Sequence, residues 1–338
     1  MLRTNGQEAA NDAAGRVVVA VVGPTATGKS DLAIELALRL ARSDGVQGEV
    51  VNADAFQLYR GMDVGTAKVP VEQRRGVAHH QLDVIDPSEE ASVAAFQREA
   101  RADVAGILER GGRPVIAGGS GLYVRALLDH IEFPPTDPGV RAALERRAEV
   151  EGTRPLHDEL ARRDPQAAAN IGAGNTKRIV RALEVIEITG APFSAHLPVQ
   201  EYVRPTVQIG LDHDRAALDA RVAARVERMW RDGLVDEVRA LRGRGIGRTA
   251  SRAVGYAEVL AMLGGEIDEA EAQERTVAAT RRLTRKQMGW FGRDPRIVWL
   301  DAQAQDVVEQ ALAVIARADA GTLDPVDLTV PVRRTLGS

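Results

Sequence analysis

The sequence predicts an α/β fold, a doubly wound parallel sheet interrupted by an inserted all-helical domain. Three observations carry that expectation. Five short apolar runs read as buried parallel strands: Val17–Val22, Glu49–Asn52, Arg113–Ala117, Val207–Leu211 and Ile297–Leu300. Segments with helical spacing of apolar residues alternate with them, as βαβ units require. The first run passes directly into Gly23-Pro24-Thr25-Ala26-Thr27-Gly28-Lys29-Ser30, which matches G-x-x-x-x-G-K-[ST] at a strand-to-helix junction.

That junction dictates its own chemistry. Glycines let backbone N–H groups turn inward around phosphate oxygens at the positive end of the next helix, where Leu32, Ile34, Leu36, Ala37 and Leu40 repeat at helical spacing. Lys29 is placed to reach the outer phosphates, and the Ser30 hydroxyl to sit on Mg²⁺. A diphosphate or polyphosphate is therefore expected at residues 23–30.

Composition bounds the rest. The 338 residues, 44% hydrophobic and 27% charged, suit a soluble globular chain of about two domains. No apolar run approaches the roughly 20 residues of a membrane span. The absence of cysteine removes disulfides and thiolate metal sites and fits a cytoplasmic protein. Net charge is −4, yet of 44 basic residues only four are lysine, leaving 40 arginines, many in the second half. A local basic face can bind phosphates whatever the overall balance.

Along the chain, residues 1–15 read as a disordered tail, 16–137 and 191–317 as the core domain, 138–190 as the helical insert and 318–338 as a loose tail. The second strand ends beside Asp54, where a parallel strand opens into the ligand crevice. Arg60–Lys68 reads as a glycine-punctuated loop. His79-His80 lacks a third ligand at metal spacing and is expected to be solvated or locally hydrogen-bonded. A helix is expected over Val93–Arg110, and Gly118-Gly119-Ser120-Gly121 marks a close backbone approach. In the insert, Asn175-Thr176 can cap a helix that carries Lys177, Arg178 and Arg181 opposite Ile179, Leu183 and Ile186, and Gly190 ends it. Further helices are expected over Asp214–Arg231, Leu234–Leu241, Tyr256–Leu263 and Asp268–Phe291. The crevice should gather the glycine loop, Asp54 and Ser120.

Spacing alone leaves the reaction open. A motor or GTPase would use a strand-end aspartate for Mg²⁺, and a small-molecule kinase with ATP at 23–30 would use Asp54 as the base for a substrate hydroxyl.

Six stretches narrow this. Gly23–Ser30, Asp54–Lys68, Gly118–Tyr123, Arg181–Val185, Val254–Tyr256 and Thr280–Phe291 together resemble the tRNA dimethylallyltransferases, also called tRNA isopentenyltransferases, in the family's order. Three departures stand out: Ala55 for a usual Ser, Ser120 for a usual Thr, and Gly289 for a usual Thr. The resemblance implies transfer of a dimethylallyl group from dimethylallyl diphosphate to N6 of the adenine 3′ to the anticodon. It implies that residues 23–30 hold the donor's diphosphate, that Asp54 takes the N6 proton, and that Lys29, Arg252 and Mg²⁺ near Ser30 stabilise the leaving group. Ser120 would hydrogen-bond near the reacting groups. The alternative for Asp54, an outer contact to Mg²⁺, stays open. Asp54, Ala55, Phe56, Gln57, Ser120, Arg141, Lys177, Arg178, Ile179, Val180, Arg181, Arg252, Gly255, Tyr256 and Arg285 would meet the tRNA, with the insert gripping its anticodon stem. The target base must leave its stack to be reached. A cytoplasmic monomer with no membrane contact completes the expectation; the kinase is the reading from another class.

Overall fold

In the computed structural model, residues 16–41, 47–196 and 200–323 are described. Six strands run β1 (Val18–Val22), β2 (Gly48–Asn52), β3 (His79–His80), β4 (Arg113–Gly118), β5 (Thr206–Asp212) and β6 (Ile297–Asp301). They form one sheet in the order β3-β2-β4-β1-β5-β6, and every pairing in it is parallel. Five of the six follow the apolar runs. The sixth, β3, pairs His79 and His80 with Val50 and Val51 and is too short and polar to carry an apolar signature. His79 Nδ1 bonds the Val77 carbonyl at 2.9 Å, and His80 Nε2 meets the Glu49 carboxylate at 2.7 Å, so both histidines are locally satisfied.

The alternation has a simple physical basis. β1 is buried along its whole length, as a central strand covered on both faces must be. On one face α1 (Lys29–Arg39) presents Leu32, Ala33, Leu36 and Ala37 to Val19, Val21, Val115 and Ile209. The opposite side of β2 and β4 is covered by α2 (Val93–Glu109), which buries Phe96, Ala100, Val104 and Ile107 and is capped by the Ser92 hydroxyl. A short helix, α3 (Gly121–Leu128), follows β4.

Residues 129–203 form a compact unit of their own. It holds α4 (Pro138–Glu151), α5 (Thr153–Arg163), α6 (Pro165–Asn170) and α7 (Thr176–Thr189). Its core is Leu144, Leu156, Leu160, Ile171, Ile179, Val180, Leu183 and Ile186. Polar side chains set the helix ends: Asp137 accepts from Gly139 and Val140, Asp164 from Ala167, and Asn175 from Arg178. Gly190 closes α7 at φ 70°. The unit reaches beyond 138–190 because the backbones of Asp129 and Tyr202 form a β-bridge and the His130 amide donates to the Glu201 carbonyl.

After β5 come α8 (Arg215–Arg231), α9 (Leu234–Arg244), α10 (Tyr256–Leu263), α11 (Glu269–Phe291) and, after β6, α12 (Val307–Asp319). The last of these corrects the placing of the tail boundary at 318. α12 adds Ala311 and Ile315 to the sheet core, and the Asp319 carboxylate accepts from the buried Arg113 guanidinium at 2.8 Å and from the Val17 amide at 2.9 Å. Residues 1–15 and 324–338 fall outside the described residues. No described helix is long and apolar enough to cross a membrane.

Candidate active site

The loop between β1 and α1 takes the shape its glycines allow. Gly23 (φ 135°) lies so close to β5 that an added Cβ would stand 2.9 Å from the Leu211 carbonyl oxygen. Ala26 and Gly28 also adopt positive φ, 66° and 90°. The Thr27 hydroxyl braces the turn by donating to Pro24 O at 2.9 Å, and Arg221 on α8 donates to Ala26 O at 2.8 Å. Lys29 is the first residue of α1, and its ammonium donates to Pro24 O.

At the end of β2 the chain turns through Asp54, one of whose carboxylate oxygens accepts the Phe56 amide at 3.0 Å. The neighbouring Asn52 side chain donates to Gln81 O, fixing the strand end. The Gln57 amide donates to Thr66 O at 3.0 Å, which leaves its carbonyl oxygen and second N–H unspent on that bond. Two knots hold the loop that follows. Lys68, 7% exposed, donates to Tyr59 O, Asp63 and Asp83 within 2.9 Å. Glu237 on α9 accepts the amides of Asp63, Val64 and Gly65 and the Tyr256 hydroxyl. Burial and the Glu237 carboxylate together push the Tyr256 phenol far above its ordinary range.

β4 ends in Gly118-Gly119-Ser120. The Ser120 hydroxyl accepts the Ala55 amide at 3.2 Å, joining the ends of β2 and β4. The buried Gln287 of α11 accepts the Thr25 amide at 2.9 Å and donates to Gly119 O at 3.0 Å.

These three loops enclose one pocket, whose wall includes Thr25, Lys29, Ser30, Asn52, Asp54, Gln57, Gly118, Gly119, Gln287 and Arg225 of α8. Its electrostatics suit an anion. Burial and the nearby Arg225 push the Lys29 ammonium down to about 7, opposed by Asp54. Burial likewise lowers Arg225, again opposed by Asp54. Two desolvated cations share a single carboxylate, so a ligand bringing several negative oxygens would relieve both. Beside Lys29 the pocket wall offers the Ser30 hydroxyl and the Asp54 carboxylate as oxygen ligands, and no group of three or more His, Asp or Glu able to hold a metal ion is found among the described residues. That sparse set fits Mg²⁺, which keeps several waters and takes one or two protein ligands plus substrate phosphates; it does not fit an all-protein cage.

The other expected residues stand as follows. Arg252 closes a 3₁₀ turn (Ala250–Arg252), is exposed, and is absent from the pocket wall; Arg285 is exposed on α11. Tyr256 is wholly buried, so its side chain packs in the core against Gly65 rather than facing a ligand. Within the helical unit, Ile179 and Val180 are core residues whose side chains are unavailable to RNA. Arg141 and Arg181 converge on Glu184, which is fully buried, at 2.6 and 2.8 Å. Lys177 and Arg178 are exposed and make no ion pair among the described residues. The sequence reading missed Arg225 and Gln287. One arginine among forty carries no signal of its own, although Arg225 does sit beside the inward-facing Val222 and Val226. Gln287 lies inside the Thr280–Phe291 stretch, where no role was attached to it.

Comparison with known proteins places this geometry. The family model described as IPP transferase matches residues 57–294. The chain belongs to the IPP transferase family. A tRNA dimethylallyltransferase from Kineococcus radiotolerans is 60% identical over 84% of this chain and 90% of its own length. One from Bifidobacterium longum is 53% identical over 92% and 94%. The crystal structure of a tRNA isopentenylpyrophosphate transferase from Bacillus halodurans superposes with a TM-score of 0.65 at 37% identity, covering 91% of this chain and 97% of that one. Within this IPP transferase fold, the pocket lies where the glycine loop and the ends of β2 and β4 meet.

Proposed function

We propose that the protein transfers a dimethylallyl group from dimethylallyl diphosphate to N6 of the adenine immediately 3′ to the anticodon of tRNA, releasing diphosphate. The observation that carries this reading is the pocket's polarity: two desolvated cations and a glycine loop face one carboxylate, in a chain whose relatives are named for that reaction. A kinase would use the same loop, but neither the family model nor the named relatives favour it.

The residues divide the work. Lys29, Arg225 and the loop amides from Ala26 to Ser30 hold the donor's diphosphate. Adenine N6 is a poor nucleophile because its lone pair is delocalised into the ring. Asp54 receives the N6 proton through the carboxylate oxygen that Phe56 does not occupy, as nitrogen attacks C1 of the prenyl chain. The C1–O bond breaks, its electrons leave with the diphosphate, and the fixed cations stabilise that growing charge. Mg²⁺, held by Ser30, would neutralise further charge on the departing diphosphate. Ser120 keeps the Asp54–Gln57 turn in register through the Ala55 amide, and Gln57 offers an amide edge to the unstacked base. Phe56, Gly255, Arg252 and Arg285 serve the RNA side of this unit. Lys177 and Arg178 supply phosphate contacts from the helical unit, with Arg141 and Arg181 beside them. The protein works as a cytoplasmic monomer.

One incubation tests the reading: labelled dimethylallyl diphosphate, ATP and unmodified tRNA with the purified chain. Label enters tRNA and ATP is untouched; ATP consumption with unlabelled tRNA would sink it. In Asp54→Asn the Phe56 bond is retained and the proton acceptor is lost. The single-turnover rate therefore falls by about 10³-fold, within the usual range for a general base, while tRNA affinity is kept.

A further inference from the structure

Three observations meet at Gln287. Its two amide atoms are both spent on backbone, the oxygen on Thr25 N–H and the nitrogen on Gly119 C=O, at 2.9 and 3.0 Å. Those two backbone groups belong to different loops, the one that cradles phosphate and the one that leads into Ser120 and thereby touches the Asp54 turn. Gln287 itself is held by a rigid support. It sits in the last two turns of α11, and one turn further on Trp290 packs so closely over Gly121 that an added Cβ there would fall 2.2 Å from the indole. Phe291, 1% exposed, anchors the same helix end in the core.

The bond to Thr25 is also unexpected for a loop of this kind. A glycine loop of the G-x-x-x-x-G-K-[ST] type offers its N–H groups to phosphate, yet here one of them is consumed by a side chain. What it gains in exchange is a fixed distance to the neighbouring loop.

We propose that Gln287 is a positioning residue that sets the separation between the donor's diphosphate and the acceptor base by tying the two loops to α11. The proposal rests on the prenyl transfer argued above. Only a side chain with one donor and one acceptor at this length can make both bonds. Methionine matches its length and makes neither; glutamate keeps the Thr25 bond, sets an oxygen against the Gly119 carbonyl and adds a negative charge beside the diphosphate site. Gly119 offers the same perturbation from the other side, since its added Cβ would stand 2.6 Å from Gln287 Nε2 and push the amide away.

The test compares the wild-type chain with Gln287→Met, Gln287→Glu, Gly119→Ala and the Gly119→Ala/Gln287→Met double variant. Single-turnover transfer is measured at saturating dimethylallyl diphosphate and tRNA, and binding of inorganic diphosphate and of tRNA is measured separately. In Gln287→Met the saturated rate falls by about 100-fold, the cost of a misplacement near 1 Å, while both dissociation constants move less than about threefold. Gln287→Glu also loses diphosphate affinity. Gly119→Ala lowers the saturated rate, and the double variant is no slower than the slower single, because both remove one bridge. An unchanged saturated rate in folded Gln287→Met would overturn the proposal. So would a loss confined to diphosphate binding, or multiplicative losses in the double variant. A wild-type chain that moves no label into tRNA fails at the earlier step, refuting the transfer reading itself and this inference with it.

Discussion

Replacing Glu184 with alanine tests how the helical unit is held together. The wild-type carboxylate is fully buried and accepts four hydrogen bonds: two from Arg141 (3.1 and 2.6 Å), one from Arg181 (2.8 Å) and one from the Asp137 amide (3.0 Å). Burial alone would push its pKa up, but the bonds from Arg141 and Arg181 hold it below the ordinary glutamate range. The alanine variant leaves the Asp137 amide without its acceptor, worth about 1–3 kcal/mol. The Arg141 side chain is 41% exposed and can turn to water, so its share is nearer the surface value of about 0–1 kcal/mol. Arg181 keeps the carbonyls of Pro134 and Pro135 and loses little more. Together these give a destabilisation of about 3 kcal/mol. Glu184→Gln retains an acceptor but loses charge assistance, for about half that cost. Urea unfolding followed by hydrogen exchange across residues 129–203 reads both. The carboxylate's folded pKa lies below its unfolded one, so its contribution is present above the unfolded value and disappears as pH falls through the lowered one. Glu184→Ala within 1 kcal/mol of wild type, or Gln as damaging as Ala, would refute the reasoning.

Four further outcomes follow from the geometry. The Lys29 ammonium titrates near 7 in the ligand-free protein, so at pH 8 diphosphate binding takes up a proton and affinity weakens with rising pH. Calorimetry in buffers of different ionisation enthalpy shows this uptake in the wild type and not in Lys29→Arg; equal uptake in both would contradict it. With the folded pKa depressed from 10.5, ligand-free stability also rises as pH climbs from about 7 toward that value. Gly289 lies inside α11, and beyond the helix's own backbone no atom stands within 4 Å of an added Cβ, so Gly289→Ala raises stability by about 0.5–1 kcal/mol in thermal melts. Removing Lys177 and Arg178 lowers the slope of log affinity for tRNA against log salt by about 1 per charge, whereas Arg141→Ala, whose cation is already paired, changes the slope less.

The sheet was largely legible from the chain because its central strands are continuous apolar runs, and the glycine loop announced itself between strand and helix. β3 was not, since two histidines on an edge owe their strand geometry to Val50 and Val51 of the neighbour. The limits of the helical unit escaped for the same reason: Asp129 and Tyr202 pair across a long stretch of sequence, and nothing local marks either. Asp54, which lines the pocket, and Ser120, which stands next to the pocket wall and accepts the Ala55 amide, could both be read as residues at strand ends. Arg225 and Gln287 could not, because each works through a contact with residues far away in sequence. Arg141 and Arg181 were visible as cations, but the buried glutamate that claims part of their charge looked like any other helical acid.

The disposition of the amines has a practical outcome. In a chain with four lysines, Lys68 is sealed beneath its three acceptors, while Lys177 and Lys286 stand in water. Burial and Arg225 bring the Lys29 ammonium down to about 7, far below the ordinary range of a lysine. A limiting dose of a small acylating reagent should therefore tag Lys29 ahead of the surface pair. Protection of that tag by added diphosphate would then count filled sites directly, without turnover.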